Sequence, residues 1–194
     1  MNRTLRLTLF LVGYLDYFAQ SRAMAANRES LPYKVSSSEV PAESFRTVLH
    51  PLNSDYVRHS FSLGDACGLT KLGVHICRVA PHTVSSVAHW HANEDEWVYI
   101  LEAGESGAFV ITQAEGDAAP REEKAQKGDF FGFPAGKRVA HALRAGDHEL
   151  VYLSSGSREV MDKCTYPSVG KTLIIDRTKG GSNFYVNESA KESR

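Results

Sequence analysis

Cysteine is scarce in this chain. Cys67, Cys77 and Cys164 are the only three in 194 residues, they form no CxxC pair, and at most one disulfide could join them. A disulfide-stapled scaffold is therefore excluded. An excess of one charge is missing too. Lys and Arg number 22 against 23 Asp and Glu, for a formal charge of −1 and a pI near 6.7. That balance offers no electrostatic footprint for nucleic acid or for an acidic membrane surface. The N-terminal apolar run is far too short to span a bilayer as a helix, and there is no internal repeat or low-complexity tract. What is present is a globular composition, 42% hydrophobic and 23% charged, in a length that suits one domain with a sizeable core. Histidine is the surplus: of eight, His75, His82, His89, His91 and His141 cluster in one stretch of the chain.

Residues 1–28 read as a leader. Arg3 and Arg6 precede the mostly apolar Leu7–Leu15, and Ala23-Met24-Ala25 has the small-x-small pattern of a signal cleavage site. Three readings stand: a secretory signal within residues 1–25, a short helix, or an upstream extension before a start at Met24. The polar stretch from Asp16 to Arg22 is long for a signal, so a cytoplasmic location is favoured. Secretion follows if the segment is cleaved, and the sequon Asn187-Glu188-Ser189 would suit that outcome. Residues 29–54, polar and punctuated by Pro32 and Pro41, read as an extended arm. Residues 179–194 read as a polar tail.

Between these ends the chain is a series of short apolar runs parted by turn residues: 72–79, 97–101, 108–112, 129–133, 150–153 and 172–175. Runs of this length rich in Val, Ile, Tyr and Phe are strands. Alternation places Val74 and Ile76 opposite His75, Cys77 and Val79, and places Glu96, Val98 and Ile100 on one face. The insert 115–120 joins two antiparallel strands. No amphipathic run of helical length interrupts residues 72–175, so the fold class is all-β, a sandwich or barrel.

The chemistry concentrates in His89-Trp90-His91-Ala92-Asn93-Glu94-Asp95-Glu96. Histidines at i and i+2 on a strand share a face, with Trp90 turned away. The polar residues 92–95 can break the strand, and Glu96 can then aim a carboxylate at the same point. Imidazoles with one carboxylate suit a divalent ion such as Fe, Mn, Ni, Zn or Cu. His141, beyond the Pro134-Ala135-Gly136 turn, is the candidate fourth ligand. The competing reading makes 94–96 a solvated acidic turn. For His50, His59, His75, His82 and His148, structural roles are expected.

The two segments together resemble the cupin superfamily, and more closely its small single-domain (type-2) members in fungi and bacteria. The matching pieces are His89-Trp90-His91 with Glu96 and 97–102, then 128–136 with His141; 68–74, Ser157-Arg158 and Tyr166-Pro167 also match. The chain departs from the general pattern at Thr83 and Ala103, where Gly is usual, at Ala145, where Asn is usual, and in placing His141 two residues later than Val139. The longer spacing also occurs in the small-cupin subgroup. The resemblance spans residues 55–178 and implies a double-stranded β-helix, the jelly-roll barrel. It further implies a metal, Fe(II) favoured, held by His89, His91, Glu96 and His141, a small-molecule substrate, and a homodimer. The small cupins it most resembles are fungal secondary-metabolite oxidoreductases. The expected function is thus a metal-dependent oxidoreductase, or dioxygenase, acting on a small aromatic or polyketide-like metabolite. A non-redox lyase or isomerase and a non-catalytic binding protein are the alternatives. Val98, Ile100, Phe131, Phe133 and Leu143 are candidates for the barrel wall, as packing or as substrate contacts.

Overall fold

The structure, a computed structural model, describes residues 31–188; the expected leader and Ser189 of the sequon lie outside them. Thirteen strands occur among the described residues: β1 (Arg46–His50), β2 (Asn53–Ser62), β3 (Leu72–Val79), β4 (Trp90–His91), β5 (Glu96–Glu102), β6 (Ala108–Ala114), β7 (Arg121–Ala125), β8 (Phe130–Phe133), β9 (Val139–Ala145), β10 (Leu150–Ser157), β11 (Met161–Tyr166), β12 (Lys171–Asp176) and β13 (Phe184–Asn187). The only α-helix among them is α1 (Leu63–Ala66), where Ser62 Oγ accepts the Asp65 N–H as an N-cap. Two strands fall where irregular chain was expected. Arg46–His50, in the arm, pairs with β2, and Phe184–Asn187, in the tail, pairs with β12. Both are short edge strands with mixed polar sequences, which carry little periodic signal.

All pairing is antiparallel. One sheet runs β1-β2-β3-β10-β5-β8; the other strands form β13-β12-β11-β4 and β7-β6-β9. A backbone bridge between His89 and His141 ties β4 to β9 and so joins the last two groups. The result is an all-β jelly roll closed around one interior.

Register decides what faces that interior. Ser60, Cys77, Tyr152 and Ile100 are successive partners across β2, β3, β10 and β5. Ser62, His75, Ser154, Val98 and Phe131 form the next row, and Gly156, Glu96 and Phe133 the one after. Because side chains alternate, the first rows supply the core and the third brings Glu96 to the same face. Val98, Ile100 and Leu143 are buried together with Val110 and Leu150, and Phe131 and Phe133 pack against that cluster. A second cluster of Val87, Cys164, Tyr166, Leu173 and Ile175 closes the other flank. Ile100 is fully buried, so Ile100→Ala is expected to cost about 2–5 kcal/mol through lost transfer energy and the cavity left behind. A urea melt reads the loss as a lower midpoint at unchanged slope. The three cysteines are free thiols, and no helix among the described residues is long and apolar enough to cross a membrane.

Candidate metal centre

Two backbone features assemble the site. His89 and His141 exchange both main-chain hydrogen bonds, at 3.1 and 2.8 Å, so they stand directly opposite each other and project their rings to one side. His91, two residues on, projects to that side as well, while Trp90 turns outward beneath the Arg138 guanidinium, 5.7 Å from its ring centre. The turn after β8 adds the second feature. Gly136 takes a left-handed φ of 71°, and its N–H donates to His91 O at 2.9 Å. Gly is the residue that adopts this conformation without strain.

Within the site three imidazole Nε2 atoms converge on one carboxylate oxygen. Glu96 Oε2 lies 3.0 Å from His141 Nε2, 3.7 Å from His91 Nε2 and 3.8 Å from His89 Nε2. The structure therefore brings together all four of the residues singled out in the sequence. Each ring is also held from behind. His89 Nδ1 sits 2.8 Å from Val87 O and 3.2 Å from Ser86 Oγ. His91 Nδ1 sits 2.5 Å from Asp162 Oδ2. These outer contacts fix the tautomer that leaves Nε2 with its lone pair inward. His141 is oriented differently: its ring stacks on Phe133 at 3.5 Å between centroids and 3° between planes, and its buried Nδ1 has no hydrogen-bond partner among the described residues. Three imidazole nitrogens and a carboxylate oxygen around one point fit a divalent ion. Clusters of His, Glu and Cys here could hold one: His89 with Glu96 and His141, and His89 with His91 and Cys164.

The electrostatics differ from one residue of the cluster to the next. Burial, then the neighbouring His141, lowers the His89 pKa to about 3, which keeps its imidazole neutral. For Glu96, burial opposes ionisation, but the His141 hydrogen bond and the three imidazoles overcome it and hold the carboxyl well below its usual range. His91 moves the other way: burial disfavours its charge, yet Cys164 and the Asp162 hydrogen bond raise its pKa.

Within the acidic run 94–96 only Asp95 is exposed. Glu94, only 7% exposed, binds Arg177 Nη1 at 2.6 Å and accepts the Glu159 N–H. Asp95 accepts the Ala135 N–H at 2.8 Å and so clamps the Pro134-Ala135-Gly136 turn to the site. Asp162 is the important residue that sequence reasoning missed. It is 1% exposed and lies 71 positions from His91, and no spacing pattern marks it; its register near β4 comes from the pairing of Cys164 with His91 and of Thr165 with Trp90.

The other histidines sit elsewhere. His59 bonds Thr47, His82 occupies a left-handed turn, and His148 packs over Gly104. His50 is buried edge-on to Tyr166 at 5.4 Å. Burial and then the Arg58 charge lower the pKa of both His50 and His75 to about 4. Between pH 6.5 and 4 the unfolded chain therefore binds protons that the folded chain refuses, and stability falls as pH falls through that window. For the buried His50 the loss is at most on the order of 3 kcal/mol. Melting temperatures of metal-free protein across pH 7 to 4 should decline, and His50→Phe should flatten the decline.

Residues 75–156 match the family described as Cupin domain. A structure described as a putative sugar phosphate isomerase from Acidithiobacillus ferrooxidans is 31% identical, with a TM-score of 0.66, over 80% of this chain and 92% of that one. A second, described as a sugar phosphate isomerase from a cupin superfamily, of Silicibacter pomeroyi, is 25% identical with a TM-score of 0.63 over the same shares, 80% and 92%. No curated protein matches the chain.

Proposed function

The chain belongs to the cupin superfamily, and from that premise we propose that it is a metal-dependent oxidoreductase acting on a small aromatic or polyketide-like metabolite inside the barrel. The observation that carries the metal-dependent reading is the convergence of three Nε2 atoms on Glu96 Oε2. His89, His91, Glu96 and His141 are the proposed ligands, with Fe(II) the favoured ion. Such an ion, when bound, supplies open coordination positions and one-electron chemistry. The protein's own part is positional. Val87 O and Asp162 aim two of the imidazoles, Phe133 aims the third, and the apolar wall of Val98, Phe131 and Leu143 excludes water beside them.

A non-redox isomerase is the second reading, favoured by what the two relatives are called. That chemistry needs an acid–base group near neutrality. Glu96 is engaged by all three imidazoles, and His75, an inner-face imidazole outside the four, is pushed down to about 4 by burial and then by Arg58. The oxidoreductase reading makes no such demand. Oxygen uptake by Fe(II)-loaded protein, tested against aromatic hydroxy acids and sugar phosphates, separates the two. Uptake matched to substrate loss supports the first reading. Isomerisation without oxygen uptake supports the second and overturns the first.

A further inference from the structure

Arg58 stands apart from the other arginines. Arg78, Arg138, Arg144, Arg158 and Arg177 each hold a carboxylate at 3.0 Å or less. Arg58 is recessed and holds none: the only hydrogen bond of its side chain among the described residues runs from Nη1 to the Ser85 carbonyl at 3.4 Å. A guanidinium has five donors in a flat fork, so most of its capacity is unspent. Leaving a recessed charge unpaired is costly, which makes an arginine of this kind a natural partner for an anionic counter-ion.

Its position says where that counter-ion belongs. Arg58 lies two residues before Ser60 on β2 and therefore on the same face, and Ser60 Oγ touches Cys77 Sγ and His75 Nδ1 from inside the barrel. Ser85, which takes its one bond, adjoins Ser86, whose hydroxyl contacts His89 Nδ1 at 3.2 Å. Burial works against its charge, but Tyr152, Cys77, Glu96 and Tyr166 act on it together and raise its pKa. The same charge acts on His50 and His75. Arg58 thus faces the same interior as the phenols and the four-residue cluster.

We propose that Arg58 is a substrate-binding residue that receives an oxyanion, a carboxylate or a phosphate, carried by the molecule that occupies the barrel beside His89 and Glu96. This rests on the barrel interior being the substrate chamber. A carboxylate, or two oxygens of a phosphate, matches the fork in two parallel hydrogen bonds, and the ring of Tyr166 lies 5.5 Å from His89. The substrate class is therefore narrowed to anionic metabolites.

Calorimetric titration of the full-length, metal-analysed protein with malonate, with inorganic phosphate and with neutral glycerol tests this. Both anions or one of them should bind and glycerol should not; the tighter anion identifies the group the site takes. Arg58→Met should weaken anion binding by ~10–100-fold while metal content stays at the wild-type value. Arg58→Lys, which keeps the charge and the stem but not the fork, should give an intermediate loss, and it serves in place of Arg58→Met if that variant melts early. Equal affinity in wild type and both variants, the outcome if the anion sits only on a metal, overturns the proposal; so does an absence of anion binding. Wild-type protein that holds no metal yet loses anion binding on Arg58→Met would sink the metal reading and leave this one standing.

Discussion

Replacing His91 with alanine is expected to weaken divalent-metal binding by more than ~100-fold, because loss of an outer partner alone commonly costs ~10–100-fold. His91 is chosen over its neighbours for a structural reason. Its ring is the bridge between the ion-facing cluster and the Glu94 and Asp162 carboxylates behind it. Its backbone carbonyl, which receives Gly136 N–H, survives the substitution, so the turn that positions His141 should persist. A competition titration with a chelating indicator, on protein whose far-ultraviolet circular dichroism matches wild type, measures the change. Affinity within about threefold of wild type would remove His91 from the ligand set.

The second large effect is expected at Asp162, which is not among the four proposed ligands but holds one of them, His91, from behind. Asp162→Asn keeps the shape and can still accept the Asn93 N–H that Oδ1 receives at 2.8 Å. It removes the charge facing His91 Nδ1. Burial raises the Asp162 pKa, but the His91 hydrogen bond and charge and the backbone N–H of Asn93 prevail and hold the carboxyl below its usual range. With a neutral amide there, the imidazole loses its anionic partner and becomes a poorer donor to metal, by ~10–100-fold in affinity. A purely structural role would lower the melting temperature of metal-free protein and leave metal affinity alone. The two measurements made side by side on one preparation therefore separate positioning from folding.

Particular residues show what was legible in the sequence. His89, His91 and Glu96 lie within eight positions on one strand–turn–strand unit; alternation puts the two histidines on one face, and the polar break at 92–95 lets Glu96 join them. His141 was legible through the Pro134-Ala135-Gly136 turn before it; its exact station, bonded through the backbone to His89, depends on a long-range pairing that no local pattern encodes. Asp162 and Arg58 depend on the same kind of pairing. A single Asp or Arg in a strand looks like any solvent-facing charge until the register shows it turned inward. In sequence the edge strands Arg46–His50 and Phe184–Asn187 look like arm and tail for a related reason. Half-exposed edges tolerate polar residues on both faces, which erases the alternation that betrays a buried strand.

The central claim, that this barrel carries a resident divalent ion on His89, His91, Glu96 and His141, is tested most directly by elemental analysis of full-length protein purified without oxygen or chelator, beside His141→Ala. The geometry predicts a stoichiometric divalent metal in the wild type, iron foremost, and its loss from the variant. Wild-type protein with no metal above background, and none taken up on incubation with Fe(II), Mn(II) or Zn(II), would contradict it.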